Sequence, residues 1–316
     1  MSPADTRAGM QQIGPRPRAT RAGAPFDCLD EVTSVTPFGG HLVAFPHQAN
    51  VIGGVAFRLG PDGPRSGCGG AVMDALFGGA TTIMVGGVPI EAVFHRYHFV
   101  SAADEISGEI LSRPLGVDCI EDFFSSLSWV DSMRVLAWQF EMKEALWAKH
   151  RAHCSVNVHN SVLVEANQRA SFIELVRAFP SPMTLEFTET YPMPAAAISN
   201  ELLGDLRGLG HRTALDDFGA GLNGMPMLTD YDFDIIKIDR SFVHDVDTRP
   251  EKQKTLTLMA RALTALGKDH VVEGVGSSRI LEILQAAGFS TFQGFHFSVP
   301  CLVRDMLDEA QGAATA

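Results

Sequence analysis

With 316 residues, 46% of them hydrophobic and 20% charged, the chain has material for a large core, and its length suits either one barrel with an extension or two domains. A formal charge of −12 excludes general binding of nucleic-acid polymers, which requires a basic surface, but admits a small anionic ligand held through divalent cations. Five cysteines (Cys28, Cys68, Cys119, Cys154, Cys301), odd in number and without a CxxC pair, exclude a disulfide framework and a zinc site and fit a reducing, cytoplasmic setting.

Residues 1–25 are rich in Arg, Pro and Ala, lack the apolar segment of a secretory signal, and read as a disordered tail. Residues 26–92 form a Gly-rich region without an assigned fold: thirteen glycines between Gly39 and Gly87 interrupt its short apolar runs. The uncharged run Ala75–Ile90 falls short of the ~20 residues of a spanning helix, so no membrane insertion is expected.

From residue 93 the texture changes. Phe94–Val100 and Glu105–Arg113 read as two strands of a hairpin, and Val130–His150 as a long amphipathic helix on Val135, Leu136, Phe140 and Leu146. Strands then alternate with helices: Cys154–Val158, helix Ser161–Phe179, Met183–Thr188, helix Ala195–Leu209, His211–Asp216 and Asp234–Ile238. Pro250 opens the next helix, with Leu256, Met259, Leu263 and Leu266 on one face and Gly267 at its end. Val271–Glu273, a Ser277-capped helix Ile280–Ala287 and Thr291–Gln293 complete the series, and residues 306–316 read as a tail. Repeated strand–helix units imply a parallel sheet, and at this number a closed (β/α)8-type barrel over residues 93–305.

The polar residues at the strand ends carry the chemistry. In chain order they are Glu109, Asn157, Glu186, Asp216 with Asp217, Lys237, Glu273 and Gln293. In a barrel all of them converge on one mouth. So many carboxylates together demand a counter-charge, and oxygen donors of this kind suit magnesium or manganese. Two such ions would serve an in-line displacement at phosphorus. Taken singly, each residue has a plainer reading: Asp216-Asp217 as a cap, Lys237 as an exposed strand-end charge, Asp239 as the anchor of the turn before Phe242. His159, His211 and His270 have no partners at ligand spacing.

Seven segments together resemble the EAL-domain family. Glu109-Ile110-Leu111-Ser112-Arg113 matches the Glu-x-Leu-x-Arg form of its signature. Ser155-Val156-Asn157, Glu186-Phe187-Thr188-Glu189, Asp216-Asp217-Phe218-Gly219-Ala220-Gly221, Lys237-Ile238-Asp239-Arg240-Ser241-Phe242-Val243, Glu273-Gly274-Val275 and Gln293-Gly294-Phe295 follow in order. The resemblance implies a modified (β/α)8 barrel with one antiparallel strand, hydrolysing cyclic di-GMP to linear 5′-pGpG with two Mg2+ or Mn2+ ions. It further implies metal ligation by Glu109, Asn157, Glu186, Asp216 and Asp217. Lys237 contacts the attacking water, and Glu273 is general base or second-metal ligand. Leu111, Arg113 and Gln293 fall to the substrate, Glu189 holds the loop after Asp217, and a homodimer is expected by analogy.

Four departures stand against the match, one being a hairpin to Glu109 a few residues shorter than usual. Gly276 replaces the second glutamate of the usual Glu-Gly-Val-Glu, Tyr97-His98-Phe99 stands where Tyr-Gln-Pro is usual, and Leu222 replaces a common aromatic. They keep an alternative open: a module of this family that binds cyclic di-GMP, or a protein partner, without hydrolysing it.

Overall fold

The computed structural model describes residues 49–52, 55–58, 77–101, 105–160, 165–188, 193–220 and 224–308. The proposed tail at 1–25 and much of the Gly-rich region lie outside them. Two short strands, β1 (Ala49–Ile52) and β2 (Val55–Arg58), pair antiparallel as a ribbon of their own.

The main sheet begins at β3 (Thr82–Val85), which turns through Gly86-Gly87 into β4 (Val88–Arg96). Both turn glycines have positive φ, 57° and 81°, the backbone that a two-residue hairpin of matching twist requires. Within the run Ala75–Ile90 the described residues from Thr82 onward therefore supply a hairpin, and the sheet starts upstream of Phe94, in residues whose glycines mask the strand signal. After the single residue Tyr97 the chain continues as β5 (His98–Phe99).

Next come β6 (Ser107–Pro114), α1 (Ile120–Ser125), α2 (Trp129–His150), β7 (His153–Val158), α3 (Ala166–Arg177), β8 (Met183–Phe187) and α4 (Ala196–Gly208). They are followed by β9 (Arg212–Phe218), α5 (Pro226–Asp230), β10 (Ile235–Ile238), α6 (Arg240–Val243), α7 (Pro250–Ala265) and β11 (Asp269–Val272). The series ends with α8 (Ser278–Ala287), β12 (Thr291–Phe292), β13 (Cys301–Leu302) and α9 (Val303–Asp308), so that helix runs on into the expected C-terminal tail.

Strands β6 to β12 pair in chain order, all parallel. The ring is closed by β4 and β5, antiparallel to both neighbours: β4 pairs with β6, and β5 pairs with β12. Among the described residues this makes a barrel of eight strand positions, one of them antiparallel, with Tyr97 where the closing strand changes partner. Strand β13 lies on β4.

Local sequence explains the helices. Ser128 caps α2 by accepting from the Asp131 N–H at 3.1 Å, and Arg151 ends it in a left-handed turn. Ser277 caps α8, Pro250 stands in the first turn of α7, and Asp239 caps α6 through the Ser241 N–H at 2.8 Å. On α7, Leu256, Ala260 and Leu263 are buried, whereas Leu266, the C-cap that ends the helix, is exposed.

Helix α2 is buried on most of its circumference, from Met133 to Leu146. Its Lys143 is fully buried too, and its ammonium donates to Ser181 O at 2.8 Å, to Ser181 Oγ at 2.9 Å and to Glu144 at 2.6 Å. Those bonds tie the helix to the turn before β8 and satisfy carbonyls that no ladder reaches.

The strand carrying Glu109 is set by a close approach. A Cβ on Gly108 would stand 2.4 Å from the His95 carbonyl oxygen and 2.9 Å from Arg96 Cα across the β4–β6 pair. Gly108→Ala is therefore expected to lower stability by about 1–3 kcal/mol, the usual range for overpacking. Gly276→Ala, where nothing lies within 4 Å of the added carbon, should stay within about 0.5 kcal/mol. Urea denaturation of both variants measures the contrast, and equal stabilities would contradict it.

Candidate active site

Polar residues on alternate positions of the strands point into the barrel, and their carboxylates gather around the ammonium of Lys237 on β10. Its Nζ lies 2.7 Å from Glu186, 2.8 Å from Glu273, 2.9 Å from Asp216 and 3.6 Å from Glu109. Lys237 is 1% exposed and so is no surface charge. Ile236 and Ile238, fully buried on either side of it, hold β10 against the helices and aim the lysine inward.

Asp216 and Asp217 are neighbours, and on a regular strand they would face opposite sides. The pairing of β9 with β10 slips between them: Ile236 stands opposite Leu215, but Ile238 stands opposite Phe218. This bulge accommodates the additional residue, and Asp217 takes it up at φ 56°. Asp216 also accepts from the Asp217 N–H at 2.9 Å. Two carboxylate groups result, Glu109–Glu186–Asp216 and Asp216–Asp217–Glu273, each with ligand atoms within 4.8 Å of one another. Asp216 belongs to both.

The supporting bonds are specific. Asn157 Nδ2 and Gln293 Nε2 donate to the two oxygens of Glu109, the latter at 3.3 Å, and Gln293 also reaches the His95 carbonyl at 3.3 Å. Gln293, which the resemblance gives to the substrate, is thus buried beside a carboxylate. Tyr97 donates its hydroxyl to Glu186 Oε1 at 2.7 Å and lies 2.6 Å from Ser155 Oγ. Ser155 and Tyr97 lie within segments compared with the family in the sequence, but neither is singled out there as a site residue.

Arg113 lies on β6 four residues beyond Glu109, exposed at the rim. Leu111 lines an apolar cavity of about 250 Å³ with Ile120, Phe124, Leu136, Asn157 and Thr188. Glu189 lies outside the described residues.

Burial sets the electrostatics. It pushes Glu186 and Glu273 up to about 8, opposed by Lys237 and reinforced by the neighbouring acids. Burial raises Asp216 as well. Glu109 is buried too, but Lys237 and the bonds from Asn157 and Gln293 outweigh that and bring it below the usual carboxylate range. Lys237 would lose its proton to burial alone; the surrounding carboxylates hold it charged. The all-oxygen donor set, with more carboxylates than one ammonium neutralises, fits a hard divalent cation such as Mg2+ or Mn2+.

Comparison with known proteins agrees with this geometry. Cyclic di-GMP phosphodiesterase RocR of Pseudomonas aeruginosa is 36% identical over 160 residues, 50% of this chain and 41% of RocR. Probable cyclic di-GMP phosphodiesterase PdeG of Escherichia coli is 34% identical over 125 residues, 40% of this chain and 25% of PdeG. The chain thus spans less than two thirds of these relatives' length. Among solved structures, Klebsiella pneumoniae BlrP1 in complex with manganese and cyclic di-GMP matches with 26% identity and a TM-score of 0.60, over 70% of this chain and 58% of that one. The EAL domain of Mycobacterium smegmatis DcpA shares the fold with a TM-score of 0.58 at 23% identity, over 71% of this chain and 96% of that one. Among the described residues, no helix is long and apolar enough to cross a membrane. The EAL domain model itself matches residues 132–300, more than half of the sequence, and the chain belongs to the EAL domain family.

Proposed function

We propose that the chain hydrolyses cyclic di-GMP to linear 5′-pGpG with the help of two divalent cations. The observation that carries this reading is the sharing of Asp216 between two carboxylate groups, which is the donor pattern that adjacent ions require. Glu109, Asn157, Glu186 and Asp216 would hold one ion, and Asp216 with Asp217 the other, with Glu273 left beside it as the base. Magnesium or manganese supplies activation of water and charge neutralisation at the phosphate when bound.

The chain's own groups do the rest. Glu273 accepts the proton of the attacking water, a role suited to a carboxylate that burial has made more basic. Lys237, fixed by Glu186, Asp216 and Glu273, presents a positive charge to the same water. Oxygen is added to phosphorus, the P–O3′ bond breaks, and the departing 3′-oxygen takes up a proton. Arg113 at the rim pairs with a substrate phosphate, and the cavity beside Leu111 takes a planar base.

Incubation with cyclic di-GMP and Mn2+, followed by chromatography of the linear product, tests the reading. Glu273→Ala should lower kcat by at least about 100-fold, the usual contribution of a general base. Nucleotide binding without product from the unaltered chain would transfer the assignment to the non-hydrolysing module.

The metal-free cluster has a second consequence. Unfolded glutamates release their protons near 4.5, whereas folded Glu186 and Glu273 keep theirs until about 8. The stability they contribute is therefore complete below 4.5 and is lost as pH rises toward 8. The slope is about 1.4 kcal/mol per pH unit for each full proton. With chelator present, Tm should fall between pH 5 and 8 (about the window above), Glu186→Gln should flatten the fall, and Mn2+ should raise Tm most at the alkaline end. A Tm that stays level or rises over that range would contradict it.

A further inference from the structure

We propose that Tyr97 is a positioning residue for the candidate metal ligand Glu186, acting from the floor of the barrel through a hydrogen-bonded chain that starts at Ser155. The inference rests on the metal-dependent reading of the site. Tyr97 is the single residue between β4 and β5, and its N–H is held by the Ser107 carbonyl at 2.8 Å, near the end of the barrel opposite the mouth. From there its ring rises inside the barrel until the hydroxyl meets Glu186 Oε1 at 2.7 Å.

The direction of the chain follows from proton count. A tyrosine hydroxyl has one proton, and Glu186, in the ionised form in which it would hold a cation, can only accept. The proton is given to Glu186, so Ser155, 2.6 Å away, donates to the tyrosine oxygen. Glu186 Oε2 meanwhile accepts from Lys237 at 2.7 Å. Both oxygens are thereby engaged from opposite sides, which fixes the carboxylate in rotation as well as in place. Partners of this kind orient a ligand and raise its affinity for the ion.

Tyr97 also separates this carboxylate from solvent on the floor side. A cavity of about 60 Å³, lined by Tyr97, Ser107, Cys154, Ser155, Thr184 and Arg212, lies beneath it and is large enough for water. Loss of the hydroxyl leaves Glu186 Oε1 without its donor and lets a mobile water compete for it.

Isothermal titration of the full chain with Mn2+ in the absence of nucleotide tests the proposal, with a thermal melt of each variant alongside. Tyr97→Phe keeps the ring and is expected to weaken Mn2+ binding about tenfold at an essentially unchanged Tm. Ser155→Ala should weaken it by a smaller factor. Tyr97→Leu should show the same loss of affinity together with a lowered Tm, because it also removes the ring. Wild-type Mn2+ affinity in Tyr97→Phe overturns the proposal, as does a loss that merely follows a lowered Tm. If the unaltered chain binds no Mn2+, the metal-dependent reading fails and this inference with it. If it binds Mn2+ but forms no product, only the enzymatic reading fails, and Tyr97 is judged on the titrations.

Discussion

The ammonium of Lys237 is the interaction on which the barrel's interior depends. It makes contact at 2.7–2.9 Å with three carboxylates, from β8, from β9 and from the residue just past β11, and lies 3.6 Å from a fourth. Three of those acids are buried and Glu273 is largely so, and the ammonium opposes the cost of ionising each of them there. One positive charge does not neutralise four negative ones. The remainder is met by proton uptake on Glu186 and Glu273, by amide donors on Glu109, and, in the reading proposed above, by cations. An acid cluster of this kind opposes folding, and it is held by apolar packing behind the strands: Val156, Leu185, Leu215, Ile236, Ile238 and Val272 are all essentially inaccessible. The same strands that spend one face on the core deliver charge from the other.

A second constraint is the irregularity in β9. Strand geometry allows one side chain in two to face the barrel, so a regular strand could offer only one of Asp216 and Asp217. The bulge opposite Lys237 removes that restriction, at a cost of the order of 1–3 kcal/mol for a non-glycine residue held at positive φ. Strain placed where two acids must act together has a direct chemical return, because without it the second carboxylate group would lack one of its three members. The site is therefore a product of irregular backbone as much as of residue type.

Much of this was legible in the sequence, and the failures have physical reasons. Strand–helix alternation gave the barrel, and Glu109, Glu186, Asp216, Lys237 and Glu273 were identifiable as strand-end polar residues that must converge. The hairpin from Thr82 to Arg96 was obscured by its glycines, which serve the turn but weaken every strand signal around it. Helix α2 is buried nearly all round, so periodicity placed it without revealing that Lys143 is internal. Leu266 fits a helical face by spacing, yet it stands at the C-cap, exposed to solvent. No periodic signal marks the bulge, since it is one residue long. Tyr97 keeps the tyrosine of the family's Tyr-Gln-Pro segment, from which His98 and Phe99 depart, but its role depends on where its hydroxyl ends. The segment around Glu109 precedes the span matched by the family model, and it is the register of β6 with β7, Glu109 opposite Ser155, that brings it into the cluster.

The reversed strand that completes the ring makes its two joints unequal. Toward β6 the pairing runs from Ile90 to Arg96, whereas toward β12 it consists of His98 with Phe292 and Phe99 with Thr291, backed by a stack of His98 on Phe297 at 4.2 Å. Strand β12 is the lightly held member of the ring, with two residue pairs toward β5 and one, Val272 with Phe292, toward β11, and a parting beside it costs less than global unfolding. Tyr97 and Gln293 stand on the two lips of the joint with β5, one beneath Glu186 and the other against Glu109. A transient parting would release the supports of both carboxylates together and leave Asp216, Lys237 and Glu273 in register. The order of the site is thus tied to a handful of backbone bonds on the far side of the barrel from the bulge, and amide exchange at Val100, whose N–H is held by the Ser290 carbonyl across that joint, would report its opening.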